Sequence, residues 1–287
     1  MKYTIVIIFF SLFSRFIFPE TVYINHYQYH PRYSFGLELL ELIMDTQEVE
    51  YQIISYGKNI NEGRGEKLVI DGVLDLEFMS TTANRENNMI PIKIPIYSGL
   101  LGMRLLLIRK DNYEIINKEQ WNLDELRKYS AGHGRLWGDF PVYAENNLDV
   151  IPVSNYNDIF KILNGKRIDY FHRGVAEIWE EIDLHKDSLV IADNVMIFYK
   201  HPVYFFVSKE RQDLANYIED GFNKILNSGA YKELFLRYFE NYINKSDLGN
   251  RTLIVLQNPV VPEGSPKLDP SLWLSSKFIK IIEDNGL

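Results

Sequence analysis

Twice along this 287-residue chain an amphipathic helical stretch ends at a glycine and gives way at once to an apolar strand. Lys67 to Asp71 closes on Gly72 and leads into Leu74-Asp75-Leu76-Glu77-Phe78; Asn155 to Asn164 closes on Gly165 and leads into Ile168-Asp169-Tyr170-Phe171. Glycine just past the last turn ends a helix without a Cβ penalty. Helices alternating with strands specify an α/β architecture. Two copies of one return in a chain of this length specify two lobes of related build.

The remaining pattern fills in that frame. Val22-Tyr23-Ile24 reads as the first strand, Leu37 to Met44 as a helix, and Tyr51 to Ile54 as the second strand. Met103 to Arg109 is an unbroken apolar strand, read as crossing between lobes. Beyond it lie a helix at Leu123 to Tyr129, a glycine-rich turn Ala131-Gly132-His133-Gly134, a helix from Gly138 to Asn146 and a strand at Val150-Ile151. Val203 to Val207 is a strand, followed by helices Leu214 to Leu226 and Tyr231 to Tyr242. The prolines at 259, 262, 266 and 270 make the end of the chain an extended strap. The expected division is a leader at 1–19, a first lobe at 20–106, a second lobe at 107–200, a return to the first lobe at 201–245, and an extended tail at 246–287 packing on both.

Thirty-nine acidic against 31 basic residues leave a net charge of −8, which argues against a nucleic-acid partner held by a basic surface. The absence of cysteine excludes disulfides, thiolate metal sites, a thiol nucleophile and an acylated lipoprotein cysteine. At the N-terminus Lys2 precedes the apolar run Tyr3 to Phe13, the length of a signal-peptide core and too short to span a bilayer. Arg15 interrupts it and no small-x-small cleavage site follows, so a buried N-terminal helix is the alternative. Export is the expectation, and without a lipid anchor it points to the periplasm.

Several segments, in order, resemble the family 3 solute-binding proteins of bacterial transporters. Asp75 to Glu86, followed by Pro95-Ile96-Tyr97, is similar to the family's strand, hydroxyl run, Thr-x-x-Arg and later Pro-Tyr. Gly165-Lys166-Arg167-Ile168-Asp169 is similar to its Gly-x-Arg-x-Asp turn, and Tyr204 to Glu210 with Ser228-Gly229-Ala230-Tyr231 to its aromatic strand and Gly-x-Tyr helix boundary. Pro95 to Arg104, Arg167 to Gly174, Asn258-Pro259 and Trp273 resemble an exported branch of that family. The resemblance covers most of the chain after the leader. It implies the two-lobe type II periplasmic binding protein fold: each lobe a mixed sheet flanked by helices, joined by two hinge strands, with a ligand caught between them.

The resemblance also implies where the ligand sits. Arg85 matches the arginine that clamps a ligand carboxylate, for which a planar guanidinium is suited, with Ser80 and Thr82 as neighbouring hydroxyl donors. The competing reading pairs Arg85 with Glu86 and makes Thr82 the cap of a helix at 83–88. Tyr27 occupies the place of an aromatic against the ligand. In the second lobe Gly134, Arg135, Trp137 and Asp139 fall where the family turns backbone amides toward an anion; Asp139 is otherwise a helix N-cap, and Trp137 a cleft wall. Where amino-acid binders carry an aspartate for the ligand ammonium, this chain has Arg173 and Gly174. Either Glu177 takes that role, or the ligand carries a second anionic group, or Arg173 and Glu177 pair on a helix surface.

His26 and His30 have a helical metal spacing, but Pro31 and the preceding strand argue against a helix, so no metal is expected. Neither a nucleophile elbow, a zincin helix, a P-loop nor a dinucleotide fingerprint occurs. The expected function is capture of a small polar, anionic or zwitterionic (amino-acid-like) solute by a monomeric protein, without bond chemistry or cofactor. A membrane permease is the expected partner; a signalling receptor, or a hydrolase or transferase on a similar scaffold, are the alternatives.

Overall fold

The computed structural model describes residues 21–57, 60–116, 120–135, 137–267 and 269–286; the expected leader lies outside them. The chain begins with β1 (Val22–His26), a 3-10 turn at Pro31–Tyr33, α1 (Ser34–Met44), β2 (Tyr51–Ser55), α2 (Glu62–Ile70), β3 (Leu76–Ser80), α3 (Ala83–Asn88) and β4 (Ile90–Ile92). β1 and β2 pair in parallel, and β3 lies beside β1 through the amide of Asp75, which donates to the Asn25 carbonyl. This is the first lobe. α2 and α3 start where side-chain oxygens satisfy their free amides: Asn61 accepts from Arg64 N at 2.9 Å and Thr82 from Arg85 N at 3.2 Å.

The chain then enters a second sheet through β5 (Met103–Arg109), followed by α4 (Tyr113–Ile116), α5 (Leu123–Leu126), β6 (Ala131–Gly134), α6 (Pro141–Glu145), β7 (Val150–Val153), α7 (Tyr156–Asn164), β8 (Tyr170–Gly174), α8 (Ile178–His185), β9 (Leu189–Ile191) and β10 (Val195–Tyr199). It returns through β11 (Val203–Val207), which pairs antiparallel with both β3 and β4, and adds α9 (Gln212–Ser228) and α10 (Ala230–Lys245) to the first lobe. β12 (Thr252–Leu256) and α11 (Ser276–Asp284) complete the fold. The second sheet is mixed and runs β12-β10-β5-β8-β6-β7, with β9 also on β5. Among the described residues no helix is long and apolar enough to cross a membrane.

The unbroken apolar run of β5 follows from its central place. Leu105 and Leu107 enter the larger core, and Leu106 and Ile108 enter a second cluster with Trp121, Tyr129 and Val142 on the opposite face. A strand covered on both faces carries no polar alternation.

Several expectations are corrected here. The segment Ala131–Gly134 is a buried strand, not a turn, because it pairs with β7 in parallel and meets β8 at Tyr170. Its backbone is therefore committed to the sheet. The helix expected from Gly138 starts only at Pro141, whose missing N–H suits the first helical turn.

The tail expected to be an extended strap has a regular element at each end, and between them turns such as those in which the Ser265 amide donates to the Pro262 carbonyl and the Trp273 amide to the Pro270 carbonyl. At the near end β12 pairs in parallel with β10, and at the far end α11 buries Phe278 and Ile282. The intervening stretch joins the lobes a third time. Asn258 donates to the Lys200 carbonyl at 2.9 Å, Lys200 Nζ to the Ser265 carbonyl at 2.9 Å, and the Trp273 indole to the Ser98 carbonyl at 2.7 Å.

Candidate functional site

The two lobes meet where β5 leaves the 3-10 turn Leu100–Gly102 and where β10 runs back toward β11. These strands lie side by side, with Ile197 opposite Arg104 and Phe198 opposite Met103. Polar side chains from both lobes gather at this seam. Ser80 of β3 and Gly138 of the second lobe come within contact: a Cβ on Gly138 would lie 3.4 Å from Ser80 Oγ.

On the first lobe Arg85 projects from α3. Its Nε and Nη2 donate to Glu66 Oε2 at 3.2 and 2.9 Å, and its Nη1 to the Ser80 carbonyl at 2.7 Å and Ser80 Oγ at 3.3 Å. The Arg85–Glu86 pair of the competing reading does not form. Glu86 instead meets Lys93 at 2.7 Å and accepts from Thr81 Oγ1 at 2.6 Å. Thr82 is the cap of α3, as its alternative reading held. Ser80, Thr82 and Arg85 are thus brought together on one half-buried ledge.

Tyr27 is not on that ledge. It is buried with Val69, Leu74 and Phe206, its ring fills the space above Gly65, and its hydroxyl donates to Glu77 Oε2 at 2.8 Å. Burial pushes the Glu77 carboxyl up to about 7, against the Tyr27 hydrogen bond and the Arg85 charge. His26 is buried at the end of β1, while exposed His30 accepts from Arg32 N.

On the second lobe the organising residue is Arg104, a guanidinium with 8% side-chain exposure. Its Nη2 reaches Asp139 Oδ2 at 3.1 Å and its Nη1 reaches Glu177 Oε2 at 3.3 Å. Asp139 also accepts from the Tyr199 hydroxyl at 2.6 Å and lies 2.8 Å from His133 Nε2. Burial opposes ionisation of Asp139, but the His133 contact and the Arg104 charge outweigh it and hold the carboxyl well below the usual carboxylate range. This network ties β5, β6 and β10 to the 138–140 turn. Asp139 is therefore not a helix cap; Phe140 takes the N-cap position of α6.

Arg173 at the end of β8 donates from Nε to Glu181 Oε1 at 2.6 Å and meets Glu177 at 3.2 Å. Its guanidinium is surrounded by the rings of Trp137, Tyr156 and Phe171 at 5.3–5.7 Å. Trp137 lies against Gly134, where a Cβ would come within 2.4 Å of the indole, so glycine there admits the ring that steadies Arg173. Arg135 is exposed at the end of β6, its amide donating to the Val153 carbonyl. Burial opposes charge on Glu177, yet Arg173 and Arg104 lower its carboxyl. His201, at the crossing, is driven down to about 4 by burial.

Asp139 and Glu177 thus meet at Arg104, and Glu177 links it to Arg173, on which Trp137 packs; Arg104 itself is not among the residues singled out from the sequence. A signal was present: Arg104 is the one charge inside an otherwise apolar run, and a buried cation needs partners.

No protein-family model matches the chain, and no curated protein matches it. Solved structures do. A mutant of ArgBP from T. maritima is 18% identical with a TM-score of 0.51, the match covering 77% of this chain and 95% of that one. A Salmonella typhimurium periplasmic binding protein described for its arginine specificity is 15% identical, with a TM-score of 0.53 and coverage of 76% and 99%. A binding component of an ABC transporter from Wolinella succinogenes, complexed with lysine, is 12% identical, with a TM-score of 0.53 and coverage of 76% and 95%. Nearly the whole of each of these proteins is matched, while about a quarter of this chain lies outside the match. The chain has the two-lobe α/β fold of the family 3 solute-binding, type II periplasmic binding proteins.

Proposed function

We propose that this chain is an exported solute-binding protein that captures a small polar, amino-acid-like solute between its lobes. The observation that carries the reading is the seam itself: guanidinium, carboxylate and hydroxyl groups from both lobes converge where only short connections join the two sheets. Closing such a seam excludes water and strengthens each polar contact. Arg85, held in place by Glu66 and Ser80, keeps further N–H donors for the solute. Trp137 and the exposed Gly138 supply the facing wall. A periplasmic location, delivery to a membrane permease and a monomeric state complete the proposal, with binding and no turnover as the activity.

A thermal-shift panel of amino acids and small carboxylic acids tests it, since a solute that binds only the folded form raises the midpoint. At least one member is expected to raise it for the wild type and to leave that of Arg85→Ala at the variant's own ligand-free value, which the loss of the Glu66 and Ser80 contacts lowers. No stabilisation by any member overturns the reading. Chemical conversion of the bound member would replace binding by catalysis.

A further inference from the structure

Glu177 stands at the head of α8 with 40% of its side chain exposed, between two guanidiniums whose exposures are only 8% and 13%. Its carboxylate takes Arg104 Nη1 at 3.3 Å, Arg173 at 3.2 Å and the Gly174 amide at 3.0 Å. It rests on a floor without a Cβ: one placed on Gly174 would lie 2.7 Å from Glu177 Oε2. Each guanidinium has a second, buried carboxylate that stays in any case, Asp139 for Arg104 and Glu181 for Arg173. Arg104 Nε, moreover, is buried with no acceptor. The fixed parts of this cluster are therefore two cations with one buried carboxylate each, an amide and a cradle shaped for a further carboxylate. Glu177 is the part that can leave.

We propose that this cradle is a carboxylate subsite of the cleft, closed by Glu177 as an internal stand-in and opened when a carboxylate of the solute takes its place. The solute is then an acid that presents a carboxylate to the second lobe. The inference rests on the solute-binding reading above. Exchange of one carboxylate for another leaves the charge of the cluster unchanged, and the displaced Glu177 is already half in water, so little desolvation is added. A ligand ammonium at the same point would sit beside Arg104 and Arg173, with the charge of Arg32 on the first lobe also felt at Glu177. That arrangement disfavours Glu177 as an ammonium acceptor.

Titration calorimetry of the full chain and of Glu177→Gln with succinate, glutarate, L-lysine and putrescine separates these roles. Removing the competing carboxylate frees the subsite, so the dicarboxylates are expected to bind the variant about tenfold more tightly than the wild type, and Arg173→Met to lose them. Equal dicarboxylate affinity in wild type and Glu177→Gln, or binding to neither, overturns the subsite. So does L-lysine or putrescine binding that Glu177→Gln abolishes, which would make Glu177 a cation acceptor while leaving the solute-binding reading intact. If neither these probes nor any member of the thermal-shift panel binds, the solute-binding reading itself fails.

Discussion

Replacing Asp139 by asparagine removes the anion on which the second lobe's polar network turns. Asp139 and Arg104 each keep only 8% side-chain exposure, and their contact at 3.1 Å is backed by Tyr199 and His133. Breaking a buried pair by neutralising one partner costs about 3–5 kcal/mol, because the surviving charge stays buried. Arg104 retains Glu177, at 3.3 Å and partly open to water, which places the expected loss near the lower end, about 3 kcal/mol. For a chain of 287 residues that lowers the thermal midpoint by roughly 5 °C. Urea unfolding followed by circular dichroism at neutral pH measures it. The pH dependence supplies a second check. The folded carboxyl lies well below its ordinary value, so its contribution is complete above about pH 4 and is lost as pH falls through the folded value. Wild type and variant should converge only in acid. A loss under about 1 kcal/mol at neutral pH would refute the claim that Asp139 anchors Arg104.

Two further expectations concern the first lobe and the tail. Glu77, raised to about 7 by burial, binds its proton more tightly folded than unfolded, so wild-type stability should fall as pH rises from about 4.5 to 7, by about 3 kcal/mol at most. In Glu77→Gln that slope should vanish; an identical pH profile for the two proteins would show that Glu77 titrates normally. Trp273 is buried and its indole holds the Ser98 carbonyl, so Trp273→Ala should cost about 3–5 kcal/mol and loosen the third crossing, read as faster amide exchange along 257–275. Unchanged exchange there would mean that the strap is not held by Trp273.

Local pattern carried the alternation of helices and strands, the two glycine-terminated returns and the strands at Leu76–Ser80, Tyr170–Gly174 and Val203–Val207. What it missed depended on partners distant in sequence. Leu253 to Leu256 lay among prolines and was read with them, because only pairing with β10 makes them a strand. Two glycines in four residues suggest a turn at Ala131–Gly134, whereas they serve a buried strand over which Ile168 and Ile159 crowd Gly132 and Trp137 crowds Gly134. Arg85 was weighed against its neighbour Glu86, yet its partner Glu66 lies 19 residues away on another helix. The same holds for Arg104, whose acids come from two different loops. The spacing of Arg173 and Glu177 implies a pair on a helix surface; the two do meet, but from the end of β8 to the residue that precedes α8.

The central claim is that a solute is held by two lobes closing on each other, and Gly138 gives the sharpest access to it. A Cβ on Gly138 would already touch Ser80 Oγ across the seam at 3.4 Å, so the indole of Gly138→Trp should press on the first lobe and wedge the seam open without disturbing either core. Calorimetric titration of wild type and Gly138→Trp with a solute found in the thermal-shift panel is the measurement. Binding to the wild type, and binding weaker by at least about tenfold in the wedged protein, is the predicted result; equal affinity in both would contradict capture by closure.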